Sequence, residues 1–198
     1  AKRIVFTPSG ASHLLPWAAL AHRVELKIPW ISTPSLGSLD RLRRHPTSVT
    51  GSTLVVGNPT GDLYYAEKEA HKVAKRFDTQ PLIGSLATKD AVLKRLSDAH
   101  IAHFATHAYF DFKDPLSSGI VLADGVLTAR EVISLQINPT LLVLSGCETG
   151  MADTLGGDEL AGLAQAFLQG GARSLLVSLW QVNDPSTAFL MDAFYDAW

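Results

Sequence analysis

The sequence contains little cysteine, little charge and no long apolar run. Its single cysteine, Cys147, excludes an internal disulfide and favours a reducing, cytoplasmic location. The formal net charge of -2 provides no basic excess for nucleic acid or a membrane surface. No stretch approaches the roughly 20 apolar residues of a membrane helix, and the start lacks the pattern of a signal peptide. We therefore expect a cytoplasmic protein that contacts neither membrane nor nucleic acid.

Internal repeats are also absent from the sequence, and its length of 198 residues suits one domain with a substantial core. The chain opens on a strand-like segment, residues 3–7, and stops inside a helix-like segment that begins at Pro185. We expect residues 1–198 to form a single domain of a longer protein, truncated at both ends. Residues 1–50 would form its N-terminal part, and residues 51–198 its catalytic core.

Strand-like and helix-like segments alternate along the catalytic core. The strand-like segments are apolar runs at residues 53–57, 80–83, 100–107, 141–144 and 174–180. The helix-like segments are amphipathic or begin at a capping residue, and they occupy residues 65–77, 89–98, 129–135, 159–168 and those from 185 onward. A hairpin is expected at residues 119–125. The alternation predicts an α/β fold with a mainly parallel sheet covered by helices on both faces.

The apolar run at residues 141–144 leads directly to the only cysteine. Four branched apolar residues in a row are typical of a strand buried on both faces of a parallel sheet. Gly146 and Gly150 flank Cys147, so the backbone can turn sharply and a substrate can approach closely. Ligands of open α/β sheets bind at the carboxyl ends of the strands. This position makes Cys147 a candidate nucleophile.

The candidate base is His107, which follows the predicted strand at residues 100–107. If this strand is a parallel neighbour of the cysteine strand, His107 and Cys147 lie at the same edge of the sheet. A thiol is mostly protonated at neutral pH and becomes a nucleophile when a neighbouring base or cation favours the thiolate. The pattern therefore indicates a cysteine hydrolase, with a buried structural cysteine as the alternative.

His103 is a rival for the role of base, because residues 103, 105 and 107 of a strand share one face. Its position inside the strand favours a hydrogen-bonded structural histidine instead. A metal site on His103 and His107 is another alternative. Catalytic zinc needs about three protein ligands, and His100 would face the opposite side of the strand. We therefore expect neither a metal nor a cofactor.

Three segments in order resemble the signature blocks of a known family. They are residues 103–107 (HFATH), 144–150 (LSGCETG) and 178–184 (SLWQVND). Together with residues 8–20 and 57–62, they resemble the CHAT domain, the caspase-like peptidase domain often attached to tetratricopeptide repeats and related to caspases and separase. The likeness covers nearly the whole chain.

The resemblance implies a caspase-like three-layer α/β/α sandwich and cysteine endopeptidase activity of the caspase/separase-like clan. His107 and Cys147 match the family's catalytic dyad. The resemblance also implies a protein or peptide substrate and control by an N-terminal repeat domain or a regulatory partner. The backbone amides of Ala108 and Cys147 are the oxyanion donors by family analogy. Ala108 is a departure, since the clan usually has glycine there.

No acidic third member of the site is evident from the sequence. Glu148 adjoins the thiol, but side chains alternate along an extended segment, so Glu148 is expected to point away. The loop at residues 57–62 (GNPTGD) lacks the Gly-Lys-Ser/Thr ending of a phosphate loop and is interpreted as a strand-to-helix turn. We therefore expect a dyad.

Acidic residues near the expected strand ends are candidates for reading a basic residue before the cleaved bond. They are Asp184, Asp153 and Asp158, and Trp180 is a candidate wall of the same pocket. Two alternatives remain open: Asp184 can cap the helix before Pro185, and Trp180 can fill the core.

Two other functions suit the same residues. The first is a signalling or binding module of this fold whose dyad is idle, or active only when a partner binds. The second is another thiol enzyme, such as an acyltransferase or amidohydrolase, because Cys/His chemistry serves any acyl transfer.

Overall fold

The fold is given by a computed structural model, which describes residues 4–8, 12, 15–25, 28–33, 35–37, 39–40, 51–111, 113–145, 157–178 and 184–198. The strands in these ranges are β1 (Ile4–Phe6), β2 (Trp30–Ser32), β3 (Ser52–Gly57), β4 (Leu82–Ile83), β5 (Ala99–Ala105), β6 (Ala108–Tyr109), β7 (Gly119–Leu122), β8 (Gly125–Thr128), β9 (Leu141–Ser145) and β10 (Leu175–Val177). The helices are α1 (Trp17–Arg23), α2 (Tyr64–Arg76), α3 (Lys89–Leu96), α4 (Ala129–Ser134), α5 (Gly157–Gly170) and α6 (Asp184–Ala197).

The central sheet has the strand order β10-β9-β5-β3-β4 within the described residues, and every neighbouring pair in it is parallel. This confirms the mainly parallel sheet that the alternation of segments predicted. The predicted hairpin is formed by β7 and β8, and β6 extends it to a small antiparallel sheet. In the N-terminal part, β1 pairs in parallel with β2.

Successive residues of the central strands enter two different cores. Leu54 and Val56 of β3 pack in one core with side chains of α3, α4 and α5. Val55 packs in the other core with side chains of α2 and α6. Because residues of a strand alternate between the two faces of a sheet, helices cover both faces, which is the predicted three-layer α/β/α arrangement. None of the described helices has the length and apolar character needed to cross a bilayer.

Three central strands end at the same level of the sheet. Ala105 of β5 is paired with Gly57 of β3 on one side and with Ser145 of β9 on the other. Helix α2 crosses β3 so closely that a Cβ on Gly57 would overlap the Cβ of Ala70. The glycine therefore permits the close packing that holds α2 beside this edge. The chain leaving each of the three strands emerges there.

Strand β5 ends earlier than the sequence predicted, at Ala105 instead of His107. The N–H of Thr106 still donates to the carbonyl of Ser145 at 3.2 Å. The hydroxyl of Thr106, however, donates to the carbonyl of Val121 at 2.9 Å. This second bond turns the chain towards the antiparallel sheet. His107 consequently lies in the connection between β5 and β6.

Candidate active site

His107 lies at the carboxyl edge of the central sheet and contacts an acidic residue of the loop after β3. Its Nε2 is 3.0 Å from Oδ2 and 3.1 Å from Oδ1 of Asp62. The side chain of His107 is 17% exposed, and that of Asp62 is 63% exposed. A carboxylate can only accept hydrogen bonds, so the proton of a neutral ring belongs on Nε2 and its lone pair on Nδ1.

Asn58 fixes the loop that carries Asp62. Its φ of 47° lies in the left-handed region, which asparagine tolerates better than most residues. The N–H of Asn58 donates to the carbonyl of Ala105 at 2.9 Å. The side-chain Oδ1 of Asn58 accepts the N–H of Leu63 at 2.8 Å. These bonds tie the loop to the end of β5 and to the start of α2, and they hold Asp62 beside His107.

The carboxyl group of Asp62 has a pKa below its ordinary value. The largest cause is a hydrogen bond donated by the hydroxyl of Thr60, and the contact with His107 acts in the same direction, whereas partial burial opposes both. Asp62 is therefore ionised at neutral pH. Since solvent screens an exposed pair, we interpret the contact as a means of orienting the imidazole more than of stabilising the fold.

The contact between Asp62 and His107 was not predicted from the sequence. The sequence indicated a strand-to-helix turn at residues 57–62 and assigned no role to Asp62. A usable signal was present, because β3 and β5 were both expected to be parallel strands with polar residues at their ends. Their adjacency in the sheet brings the two side chains together.

Ala108, the predicted oxyanion donor, begins β6. The Val121 N–H donates to the carbonyl of His107 at 2.9 Å, and Ala108 is the partner of Ile120 in the next position of the ladder. Hydrogen-bonded and non-hydrogen-bonded pairs alternate along an antiparallel ladder, and His107–Val121 is a hydrogen-bonded pair. Ala108–Ile120 is therefore a non-hydrogen-bonded pair, and the backbone amide of Ala108 is directed away from β7.

A buried polar cluster lies below this edge, between the sheet and helices α2 and α6. Glu69, His103, Ser145 and Tyr195 are each at most 2% exposed. The hydroxyl of Ser145 donates to Oε1 of Glu69. Nε2 of His103 is 2.9 Å from the same oxygen, although its angle falls short of a good hydrogen bond. Nδ1 of His103 is 3.1 Å from the hydroxyl of Tyr195.

The contacts of His103 confirm that it is a structural histidine inside the strand. The cluster contains the residue types of a serine hydrolase triad, but their order is wrong for that chemistry. The hydroxyl of Ser145 faces the carboxylate and not the imidazole, and it is buried. Burial, and secondly the charge of Glu69, raise the pKa of Tyr195 above its ordinary value, so its hydroxyl stays protonated.

The other predicted site residues have no described side chains. Cys147, Asp153 and Trp180 lie outside the described residues. Asp184 is the first residue of α6, and Asp158 lies in the first turn of α5. Among the residues whose positions are described, no three His, Cys, Asp or Glu side chains come together as metal ligands would.

The comparisons with known proteins concern the whole chain. The sequence model of the CHAT domain matches residues 1–198. Tetratricopeptide repeat protein 28 of Homo sapiens is 28% identical over 99% of this chain, and that of Mus musculus is 26% identical over the same share. The chain spans about a tenth of the length of these curated relatives.

The fold is similar to part of a solved structure, the Saccharomyces cerevisiae separase–securin complex. The TM-score is 0.63 at 20% sequence identity, and the match covers 94% of this chain and 12% of that one. At this identity the likeness concerns the fold alone. The fold is therefore a caspase-like α/β fold with a mainly parallel central sheet.

Proposed function

The chain belongs to the CHAT domain family, and from this premise we propose that it is a cysteine endopeptidase that uses His107 and Cys147. The observation that carries the proposal is the register of β5 and β9. Ala105 and Ser145 are direct partners in the parallel ladder. His107 and Cys147 each follow their strand by the same two residues.

Chain connectivity limits how far apart the two groups can lie. Neighbouring strands are about 4.8 Å apart, and two residues extend the chain by at most about 7 Å. Ser145 faces α2, since its hydroxyl reaches Glu69, and His107 reaches Asp62 on the same side. Connectivity therefore keeps Cys147 within two residues' reach of the strand end that pairs with β5.

The proposed reaction begins with transfer of the thiol proton to Nδ1 of His107. The thiolate of Cys147 then attacks the peptide carbonyl carbon, a C–S bond forms, and the C–N bond breaks as the imidazolium protonates the leaving amine. Water, deprotonated by the same imidazole, hydrolyses the thioester and regenerates the thiol. Asp62 is the group that keeps the proton on Nε2, so Nδ1 is the ring atom assigned to this exchange.

The backbone amides of Cys147 and Ala108 are the proposed donors to the tetrahedral oxygen. The direction of the Ala108 amide, away from β7, supports this role. A donor of this kind typically contributes about 3 kcal/mol to transition-state stabilisation. Alanine in place of glycine keeps the amide, so the departure from the clan pattern does not remove the donor.

The substrate we propose is a protein or peptide, and no cofactor is required by the reaction. Asp184, Asp153 and Trp180 are the proposed contacts for the residue before the cleaved bond. The relatives are tetratricopeptide repeat proteins, and the separase structure is a complex with securin. These likenesses support control by an attached N-terminal repeat domain or a regulatory partner. A cytoplasmic location is part of the same proposal.

The test is labelling by peptidyl acyloxymethyl ketones with a basic or an acidic residue next to the ketone. Cys147 is the single cysteine, so the adduct mass reports on one site. We expect peptide-dependent labelling that His107→Ala abolishes and that His71→Ala, on the exposed face of α2, leaves intact. Labelling of wild type and His107→Ala at one rate would contradict the proposal and would favour an idle module of the same fold.

A peptide library would then separate a peptidase from another thiol acyl-transfer enzyme. Cleavage of internal peptide bonds supports the endopeptidase. Acyl transfer from small amides, or their hydrolysis, without any peptide cleavage would favour the hypothesis of an acyltransferase or an amidohydrolase.

A further inference from the structure

The proposed dyad leaves the buried carboxylate of Glu69 unexplained. Glu69 lies on the inner face of α2 and is 2% exposed. Taking a carboxylate out of water is costly unless nearby donors replace the lost hydration. Well-packed apolar residues often stabilise a protein core as much as a buried ionic cluster does, or more. Stability alone is therefore a weak reason for a carboxylate at this position.

The contacts of Glu69 lie where the two proposed catalytic residues leave the sheet. Its Oε1 accepts the hydroxyl of Ser145 and lies 2.9 Å from Nε2 of His103. Ser145 is the last residue of β9 and precedes Cys147 by two residues, and His103 lies in β5 shortly before His107. One oxygen atom of α2 therefore contacts both strands near their carboxyl ends.

Helix α6, which covers the same face of the sheet as α2, also contacts the cluster. Tyr195 of α6 contacts Nδ1 of His103 at 3.1 Å, and its ring packs edge to face against Phe77 just after α2. The exposed pair Lys72–Asp192, at 3.0 Å, links the same two helices. Glu69 is thus held between two packed helices and the sheet, and its carboxylate has little freedom to leave Ser145.

We propose that Glu69 is a positioning residue for the thiol chemistry, acting through the hydroxyl of Ser145 to set where the chain carries Cys147 relative to His107. The proposal rests on the proposed function. In this role Glu69 acts through Ser145 and not as an acid, a base or a nucleophile. His103 is its neighbour in the cluster, with Nε2 2.9 Å from the same oxygen.

The test is the rate of alkylation of Cys147 by iodoacetamide between pH 5 and pH 9 in the 198-residue chain. Glu69→Gln keeps the size of the side chain and removes its charge, and Ser145→Ala removes the donor. We expect each to lower the rate at pH 7 about tenfold and to raise the pH midpoint of the reaction. The alkylation rate of the double variant should be no lower than that of either single variant, because the two substitutions remove the same contact.

Val73→Ala is the matched control. Val73 is buried on the same face of α2, one turn beyond Glu69, and has no polar contact to lose. Its truncation leaves a cavity and lowers the free energy of unfolding. We expect the alkylation rate and the pH midpoint of the folded Val73→Ala protein to remain those of wild type.

The outcomes separate the two proposals. If His107→Ala slows alkylation but Glu69→Gln and Ser145→Ala behave as Val73→Ala does, the role of Glu69 is refuted and the dyad stands. If His107→Ala has no effect, the dyad fails, and amide hydrogen exchange decides the role of Glu69. Faster exchange at the ends of β5 and β9 in Glu69→Gln than in Val73→Ala supports positioning, and equal exchange overturns it.

Discussion

At the scale of single residues, the contact between Asp62 and His107 combines an exposed acid with a largely buried base. The exposed fractions of the two side chains, 63% and 17%, mean that water screens the charge of Asp62 while the imidazole is held by its surroundings. An exposed ion pair contributes at most about 1 kcal/mol. We therefore interpret the contact as one that selects the tautomer with the proton on Nε2 and fixes the direction of the ring.

Asp62→Asn should therefore slow the labelling of Cys147 without abolishing it. An asparagine can present its amide N–H to Nε2 and so favour the wrong tautomer. We expect about a fivefold loss of the rate, which corresponds to about 1 kcal/mol. Asp78→Asn, an exposed substitution just beyond α2, is the control and should leave the rate unchanged. A thousandfold loss of the labelling rate would instead show that Asp62 takes part directly in the reaction.

Thr60→Ala should raise the pKa of Asp62 towards its ordinary value. The hydroxyl of Thr60 is the largest cause of the lowered pKa, and the contact with His107 remains after the substitution. Because the folded-state pKa is depressed, Asp62 adds stability above its unfolded pKa and loses it as pH falls through the folded value. A carboxyl NMR titration measures the shift, and an unchanged titration in Thr60→Ala would contradict this assignment.

At the scale of elements, we expect the proposed site to depend on how closely α2 packs against β3. Gly57 ends β3, and added side-chain atoms there would meet Ala70 and Ile83. Helix α2 begins directly after the Asp62 loop and also carries Glu69. A displacement of α2 would therefore alter both the loop beside His107 and the carboxylate below Ser145.

Gly57→Ala should destabilise the protein by about 1–3 kcal/mol, because the new methyl group overpacks the contact between β3 and α2. The measurement is urea unfolding followed by circular dichroism. Gly162→Ala in α5 is the control, since its added Cβ would meet open space and alanine favours a helix by about 1 kcal/mol. Equal changes in the free energy of unfolding for the two substitutions would show that the close packing at Gly57 does not contribute to stability.

The mainly parallel sheet and its helix-covered faces were predictable because each element carries its own local pattern, whereas the order of the strands in the sheet was not predicted. The apolar run of β9 and the stripe of α2 need no distant information. The end of β5 was predicted too late, since the bond from Thr106 to Val121 joins segments that are remote in sequence. Asp62 escaped prediction, and the helical stripe wrongly indicated an exposed position for Glu69, for the same reason: their partners become neighbours only when the sheet is assembled.

At the scale of the whole molecule, the sheet separates an apolar core from a core that contains a polar cluster. The core on the side of α3, α4 and α5 is built from apolar side chains. The core under α2 and α6 contains Val55 and Val143 together with Tyr195, and it is the side on which Glu69 and His103 meet. The buried polar cluster thus lies on the face of the sheet that α2 and α6 cover.

The central claim is that His107 activates the only thiol of the chain, and the pH dependence of Cys147 alkylation tests it most directly. We expect wild type to react with iodoacetamide at least tenfold faster near pH 6.5 than His107→Ala does, and the variant to regain reactivity only near the ordinary thiol pKa of about 8.5. Superimposable pH profiles of the two proteins would contradict the claim.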